Sequence, residues 1–423
     1  MKSIKLIQII TAFVLFTTVS FAQKLKLPDN IEQYIRVEKL SKRVLIITNS
    51  IANNETVTAI ATKKGVVIID AGMNPPVTEI YKRMIEKEFN RKDFIYLINT
   101  HSHSDHTYGN PAFSEAKIIG QVNGKKEISK RYKEDSFKTV FSNILKRDTE
   151  TLKTLDSNST TAKELAIGIY RISEMFSNIE NNFIPPAPSI MFNDKMTLDM
   201  GDVTFKLYYF GKAHTQSDIL IYIPEEQVVF TGDLFGEAGN VGFDDINKTA
   251  VNNWYSALNS VLLPENEIKY VVRGHNRTTM NREVLTIFYN NVKSLWDKFN
   301  EGKELYNAEN LKQILDKSGL DSSIAEFHKL RTTEKDKYFF LEGGLNNVAY
   351  DLLNQNKVKE AIEIFKMNVE LFPESFNVYD SLGEAYMKAG NKELAIENYE
   401  KSLKLNPESQ SGKDALKRLN EQK

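Results

Sequence analysis

The feature that most constrains the fold of this chain is the placement of its histidines. Five of the six follow one pattern: three lie in the run His101-Ser102-His103-Ser104-Asp105-His106, and two follow much later, at His214 and His275. Imidazoles and a carboxylate packed this closely would be costly to bury without a metal ion. We therefore expect segments more than a hundred residues apart to meet around one metal site.

Each of these histidine segments follows an apolar run that predicts a buried strand. A fourth such run is followed by Thr231-Gly232-Asp233. The four runs are Phe94–Asn99, Val203–Phe210, Gln227–Phe230 and Tyr270–Val272. Loops carried by rigid strands are common places for chemistry. The sequence thus predicts ligands presented from several strand ends at one rim.

The first histidine loop can serve two metals. Residues two apart in an extended segment point the same way, so we expect His101, His103 and Asp105 to converge while His106 faces elsewhere. His101 and His103 would then bind one metal, and Asp105 and His106 the other. Imidazole and carboxylate suit zinc, and also iron and manganese. The remaining histidine, His328, lies in a helical stretch and is interpreted as an ordinary core or surface residue.

The order HxHxDH, a histidine after a glycine turn, Thr-Gly-Asp and Gly-His resembles the metallo-β-lactamase superfamily over roughly Ile35 to Phe299. The run Val66–Gly72 is similar to that family's early strand ending in Asp-x-Gly. The resemblance implies an α/β fold of the αββα sandwich type. It also implies a ligand set in which Asp233 bridges two metals, with His101, His103 and His214 at one and Asp105, His106 and His275 at the other.

Two departures from the lactamase pattern limit which enzyme classes of this superfamily the chain resembles. The chain has no cysteine, so it lacks the ligand that some lactamase subclasses use. The histidine-only lactamase subclass usually lacks the bridging aspartate, whereas Asp233 is present here. The pattern is therefore more similar to glyoxalase-II-like thioesterases, lactonases and phosphodiesterases than to dedicated lactamases, and antibiotic hydrolysis stays open.

These residues predict a metal-dependent hydrolase in which two Zn²⁺ ions hold an attacking hydroxide. Its substrate would be a small molecule with an ester, thioester, lactone or lactam bond. Asp105 would bind a metal and act as the catalytic residue that orients the hydroxide. Tyr108 lies beside the cluster and could contact substrate or simply pack. Two alternatives remain: a single-iron enzyme similar to persulfide dioxygenases, and a scaffold protein that acts through its C-terminal repeats.

The N-terminus predicts export. A basic start, an apolar run and the small residues Ser20 and Ala22 indicate a secretory signal peptide over residues 1–22, cleaved after Ala22. The apolar run is short for a membrane span, so we expect cleavage, a periplasmic or secreted protein, and no membrane contact afterwards. The formal charge of −1 offers no basic surplus of the kind that nucleic-acid binding requires.

A catalytic domain is predicted over residues 30–300. Three strand-like runs within 44–70 predict an antiparallel meander, and helical spacing follows over Val77–Phe89. Residues 124–182 are polar with helical spacing, and we interpret them as an insertion between the first two metal loops. It either walls the mouth of the site or is a surface elaboration. A closing helix is predicted over Arg282–Phe299.

The C-terminal part is predicted to be helical. A linker over residues 301–342 has helical stretches around Glu304–Lys317 and Ser322–Lys329. An internal repeat with a 34-residue period follows, in which Ala361, Phe365, Leu371 and Pro373 recur as Ala395, Tyr399, Leu405 and Pro407. The pattern resembles tetratricopeptide repeats over residues 343–420. Two repeats are too few to be stable alone, so we expect them to pack on neighbouring helices and to bind a protein, self-associate or only pack.

Overall fold

The computed structural model of the protein describes residues 31–49, 55–157, 159–234, 246–261, 267–275, 280–407 and 409–421. The predicted signal peptide at residues 1–22 lies outside them. The chain divides into two compact units, Met1–Asn291 and Val292–Lys423. The first unit is mixed α/β and the second is mainly helical, which confirms the predicted fold class.

Within the described residues, the first unit begins with a seven-stranded sheet whose strands lie in chain order. They are β1 (Ile35–Lys39), β2 (Val44–Asn49), β3 (Val57–Thr62), β4 (Gly65–Ile69), β5 (Phe94–Ile98), β6 (Lys117–Gln121) and β7 (Ile190–Phe192). Strands β1 to β4 pair antiparallel, which confirms the predicted meander, and β4 to β7 pair in parallel. The C-terminal ends of β4 and β5 therefore lie side by side.

A second sheet has six strands among the residues described. They are β8 (Lys195–Asp199), β9 (Thr204–Tyr209), β10 (Ile219–Ile223), β11 (Val228–Phe230), β12 (Tyr270–Val272) and β13 (Met280–Asn281). Neighbouring strands are antiparallel except β11 and β12, which are parallel. Strands β9, β11 and β12 therefore run in the same direction and end at one rim.

The helices of the first unit flank and connect these sheets. They are α1 (Pro75–Phe89), α2 (Ser104–Thr107), α3 (Val122–Arg131), α4 (Asp135–Thr154), α5 (Thr160–Glu180), α6 (Lys248–Val261) and α7 (Glu283–Asn300), of which α7 crosses into the second unit. Helix α1 begins where the Asn74 side chain accepts a hydrogen bond from the Val77 N–H (3.1 Å). Helices α3 to α5 occupy the segment predicted as an insertion.

The two sheets pack face to face over a common core. Because successive side chains of a strand point to opposite faces, each inner strand contributes to two clusters. Val44 and Ile46 lie between the sheets with Phe205 and Ile221, whereas Leu45 points outward to the cluster that includes α1. This alternation gives the sandwich one core between the sheets and another beneath the helix layer.

The second unit is built from paired helices. Among the described residues these are α8 (Glu309–Ser318), α9 (Leu320–Thr332), α10 (Glu342–Asn354), α11 (Val358–Leu371), α12 (Phe376–Lys388), α13 (Lys392–Leu405) and α14 (Gln410–Glu421). No helix in the described ranges combines the length and apolar content needed to cross a bilayer. Gly383 allows the close approach of α12 and α13, since a Cβ there would lie 3.2 Å from the Tyr399 ring.

One predicted helix boundary is wrong. The helical stretch expected from Glu304 begins only at Glu309, because Glu304 and Leu305 form a short strand, β14, parallel to β15 (Tyr338–Phe339). The Glu304 N–H donates to the Lys337 carbonyl oxygen at 2.8 Å. That partner is distant in sequence, so local spacing could not reveal the strand.

We expect Ile221→Ala to lower the free energy of unfolding of the first unit by about 2–5 kcal/mol, because Ile221 is fully buried between the sheets. Ile287→Ala on α7 removes the same atoms from a side chain that is 48% exposed, and should cost less than about 1 kcal/mol. Urea unfolding followed by circular dichroism compares the two variants. Equal losses would contradict the assignment of Ile221 to the core.

Candidate metal centre

The structure brings the seven candidate ligands together at the rim where β5, β9, β11 and β12 end. They form two groups that share Asp233, and within each group the ligand atoms lie within 4.8 Å of one another. Half-site 1 consists of His101, His103, His214 and Asp233, and half-site 2 of Asp105, His106, Asp233 and His275. The sixth histidine, His328, is exposed on α9 of the second unit.

Half-site 1 is built from three imidazoles and one carboxylate oxygen. His214 Nε2 lies 2.9 Å from His103 Nδ1. Asp233 Oδ2 lies 3.7 Å from His101 Nε2 and 3.6 Å from His214 Nε2. His101 is buried, while His103 and His214 are half-buried. The ligand atoms therefore converge on one small volume.

Half-site 2 lies on the other side of Asp233. His275 Nε2 is 3.0 Å from both Asp105 Oδ2 and Asp233 Oδ2. His106 Nε2 is 3.3 Å from His275 Nε2 and 3.4 Å from Asp233 Oδ1. The His106 side chain is fully buried, whereas that of His275 is 26% exposed. Half-site 2 is thus closed behind His106 and open to solvent beside His275.

The expectation that the first loop stays extended as far as Asp105 is wrong. His103 is extended (φ −66°, ψ 154°), but Ser104–Thr107 forms the helical turn α2, and the Thr107 N–H donates to the His103 carbonyl oxygen at 3.1 Å. The turn carries Asp105 and His106 together to half-site 2. The division of the loop between two half-sites therefore arises from a change of backbone conformation after His103.

Asp70 orients two of the histidines from behind. Its carboxylate accepts hydrogen bonds from the Thr100 N–H (2.8 Å) and the Thr100 hydroxyl (2.7 Å), and lies 2.9 Å from His106 Nδ1. The same hydroxyl lies 3.0 Å from His101 Nδ1. A carboxylate only accepts hydrogen bonds, so His106 Nδ1 carries the proton that it donates to Asp70. The Thr100 hydroxyl already donates to Asp70, so His101 Nδ1 must donate to that hydroxyl. Both imidazoles therefore direct Nε2 to the half-sites. The Asp-x-Gly motif marked this residue, but sequence reasoning gave it no role.

Asp218 fixes the loop that carries His214. Its carboxylate accepts hydrogen bonds from the Thr215 N–H and hydroxyl, both at 2.7 Å, and from the Ala213 N–H at 3.3 Å. Burial raises the pKa of Asp218 to about 6, although the charge of His214 and these hydrogen bonds oppose the shift. Sequence reasoning missed this residue, because only the folded loop brings the three donors to it.

The inserted helices contact both metal loops. Glu127 of α3 accepts hydrogen bonds from the Gln216 N–H (2.9 Å) and the Ser217 hydroxyl (2.6 Å), next to the His214 turn. Tyr132, directly after α3, stacks on Tyr108 of the first loop with ring centroids 5.9 Å apart. Tyr108 is fully buried, so packing is the role the structure shows for it.

A glycine is required where the two strand ends meet. A Cβ at Gly274 would lie 2.0 Å from Asp233 Oδ1 and 2.8 Å from His106 Cε1. The Gly274 N–H also donates to the Gly232 carbonyl oxygen at 2.8 Å. Close backbone contact therefore brings Asp233 to His275, and any side chain at position 274 would displace a ligand.

Two histidines of half-site 1, His101 and His103, are neutral. Burial lowers the pKa of His101 well below its ordinary value. Burial and the nearby charge of Arg131, the last residue of α3, lower the pKa of His103 to about 3. Neutral imidazole is the form that binds a metal. Half-site 1 therefore has two imidazoles ready for a cation at pH 7.

The histidines of half-site 2 are protonated in the metal-free chain. Burial opposes their charge, but the carboxylates of Asp233 and Asp105 outweigh it. They raise the pKa of His106 well above its ordinary value and that of His275 to about 10. Burial likewise opposes ionisation of the two aspartates, and the charged imidazoles hold their pKa values below the ordinary one. The protons on the His106 and His275 imidazoles therefore occupy the positions at which a cation would bind.

The residues of both half-sites fit metal ions. His101 Nε2 and Asp233 Oδ1 are buried and have no hydrogen-bond partner within the described residues. Buried polar atoms are nearly always paired, and a cation between the ligands would satisfy both atoms. Imidazole and carboxylate are ligands that zinc, iron and manganese accept.

Comparison with known proteins agrees with this geometry. The family model of the Metallo-beta-lactamase superfamily matches residues 52–275, more than half of the chain, and that of the Tetratricopeptide repeat matches residues 381–409. A "Metallo-beta-lactamase type 2" of Elizabethkingia meningoseptica is 24% identical over 57% of this chain and 79% of its own length. One of the same name from Bacillus cereus is 22% identical, over 57% and 76% respectively.

Among solved structures, a metallo-beta-lactamase from Pontibacter korlensis is similar, with a TM-score of 0.41 and 17% identity. The alignment covers 61% of this chain and 99% of that one.

Metal binding at half-site 2 should depend on pH more steeply than binding at half-site 1. The raised pKa values of His106 and His275 mean that a cation must displace protons at pH 7, so affinity should rise with pH toward about 10. The lowered pKa values of His101 and His103 impose no such competition. Calorimetric titration of the apoprotein with Zn²⁺, in buffers of different protonation enthalpy, measures the protons released. Equal release from both ions would contradict the assignment.

Proposed function

Because this chain belongs to the metallo-β-lactamase superfamily of hydrolases, we propose that it holds two divalent cations, one at each half-site. We propose further that it cleaves an ester, thioester, lactone or lactam in a small molecule. The observation that carries this proposal is the pair of complete ligand groups that share Asp233. A shared carboxylate is what a two-metal hydrolytic site needs in order to keep its cations close together.

The residues of the chain have distinct tasks in this proposal. Bound zinc would lower the pKa of water to about 7 and polarise the bond under attack. Asp105, whose side chain is 18% exposed beside His275, accepts the hydrogen bond that orients the attacking water. Asp70 keeps His101 and His106 in the tautomers that direct Nε2 inward. Burial behind His106 keeps bulk water from that side of the reaction.

The completeness of half-site 2 supports two cations over the single-iron alternative. A mononuclear enzyme would have no need for Asp105, His106 and His275 to converge as closely as they do. Metal analysis of the purified protein by mass spectrometry separates the two cases. Two zinc ions per chain support the proposal, and one iron supports the dioxygenase-like alternative.

A substrate panel tests the reaction itself. It contains a lactone, a thioester, a β-lactam and a phosphodiester, and the β-lactam is included because the relatives bear lactamase names. Hydrolysis of one carbonyl class by the two-zinc protein supports the proposal. Failure on every member, with both ions bound, would instead favour the scaffold alternative, in which the repeats bind a protein partner or a second copy.

We also propose that the protein is exported to the periplasm or secreted. The support is the signal-like sequence at residues 1–22. Fractionation of cells that express the full chain, with N-terminal sequencing of the product, tests this proposal. A product that still begins at Met1 in the cytoplasm would contradict it.

We expect Asp233→Ala and His103→Ala each to abolish turnover while the fold is retained, since each variant removes a ligand of half-site 1 and the first disrupts both half-sites. Hydrolysis of the active panel substrate and circular dichroism measure the two effects. His328→Ala, at the exposed histidine on α9, is the matched control and should be fully active. Turnover at the wild-type rate by either ligand variant would refute the assignment.

We propose further that Arg131 holds an anionic group of the substrate. Its guanidinium lies near enough to His103 to lower the pKa of that imidazole, and it is half-buried. Within the described residues no carboxylate forms an ion pair with it. A guanidinium beside a candidate metal ligand, with no carboxylate of the chain paired to it, is suited to hold a carboxylate of the substrate.

Arg131→Ala should therefore raise KM for a carboxylate-bearing substrate about 10–100-fold with a smaller change in kcat, because a charge-assisted hydrogen bond contributes about 1.5–3 kcal/mol. Steady-state kinetics on the substrate and on its methyl ester measure the effect. Lys130→Ala removes a neighbouring exposed charge as the control. An equal rise in KM for the acid and the ester would contradict the proposal that Arg131 binds the substrate carboxylate.

A further inference from the structure

A buried ion pair links the insertion to the rear of the metal centre. The Arg171 guanidinium, on α5, pairs with the Glu55 carboxylate, which comes just before β3. Both side chains are 1% exposed. Burying two charges costs free energy that close pairing only partly offsets. No ligand assignment or step described so far uses this pair.

Glu55 lies against the backbone that carries half-site 2. It forms an isolated antiparallel bridge with His275, and the following Thr56 N–H donates to the Gly274 carbonyl oxygen at 2.7 Å. On its other side, a Cβ at Gly72 would lie 3.2 Å from Glu55 Oε1. Glu55 is therefore held between the loop that bears His275 and the loop that follows Asp70.

The second of these loops continues the contact to His106. The Ala71 N–H donates to the His106 carbonyl oxygen at 2.9 Å. Helix α5 is fixed to the same loop, because the Asn74 amide donates to the Glu174 carboxylate at 2.8 Å. The ion pair and these hydrogen bonds connect α5 to the backbone that carries both histidines of half-site 2.

The charge of Arg171 matters at this place. It interacts electrostatically with Asp105, a ligand of half-site 2, as well as with Glu55. A buried positive charge near a cation site would repel the cation, because interactions inside a protein are weakly screened. The Glu55 carboxylate compensates that charge and lets α5 reach the rear of the site.

We propose that Glu55 is a positioning residue for half-site 2, which neutralises Arg171 and ties the loop of His275 to the inserted helix α5. This inference rests on the proposed two-cation function. It predicts that loss of the Glu55 charge weakens binding of the ion at half-site 2, whereas loss of the Arg171 charge does not. A role in packing alone would weaken binding in both variants alike.

The test measures the two stepwise Zn²⁺ affinities of the full chain by competition with a chromophoric chelator. Glu55→Gln should lower the Zn²⁺ affinity of half-site 2 by roughly 10–100-fold and leave the affinity of half-site 1 nearly unchanged. Arg171→Met should not weaken it, and the double variant should recover most of the loss. His275→Ala identifies which binding step belongs to half-site 2. Arg43→Met, which breaks an ion pair with Asp202 (2.8 Å), controls for the loss of an arginine pair.

Equal weakening in Glu55→Gln and Arg171→Met, or no change in either, would overturn the inference. If Glu55→Gln does not fold, as judged by circular dichroism of the apoprotein, position 171 still decides. Arg171→Lys keeps the positive charge, so it should bind the ion of half-site 2 no more tightly than wild type. Arg171→Met removes the charge and should bind that ion at least as tightly as Arg171→Lys does. Weaker binding by Arg171→Met than by Arg171→Lys overturns the inference. A wild-type chain that binds fewer than two ions would instead refute the proposed function.

Discussion

The hydrogen bonds of the Asp70 carboxylate are the constraint on which the metal centre depends. One oxygen receives the Thr100 N–H, and the other receives the Thr100 hydroxyl and faces His106 Nδ1. Through that hydroxyl the effect extends to His101. Asp70 has a φ of 56°, a left-handed conformation that aspartate tolerates better than most non-glycine residues. A single residue at the end of β4 thus sets one histidine of each half-site.

The two half-sites differ in charge because they differ in their carboxylates. His106 interacts with the carboxylates of Asp70, Asp105 and Asp233, which stabilise its protonated form. His101 interacts with the carboxylate of Asp233 and stays neutral. Half-site 1 is a set of neutral donors, whereas half-site 2 is an acidic site that protons already occupy. Binding of a cation would therefore displace protons at half-site 2 and add positive charge at half-site 1. The compensated Arg171 pair behind half-site 2 fits this balance, since an uncompensated charge there would favour the empty site.

The candidate ligand residues that the fold groups together, and the strands that precede them, could be predicted from the sequence, because apolar runs followed by histidine or aspartate are local signals. Three features could not. The turn α2 depends on a backbone change after His103 that spacing does not encode. The strand β14 depends on a partner more than thirty residues away. Residues that orient the ligands, such as Asp218 and Glu127, are recognisable only by donors that the fold brings to them.

The insertion, for which the sequence left open a wall at the mouth of the site or a surface elaboration, packs against the loops that carry the candidate ligands. Helix α3 binds the turn after His214 through Glu127, and Tyr132 packs on the first metal loop. Helix α5 reaches behind half-site 2 through Arg171. A surface elaboration would have no reason to bury a charge there. Because Arg131 also lies on these helices beside His103, the roles proposed for Arg131 and for Glu55 would place substrate preference and metal affinity under the control of the same insertion.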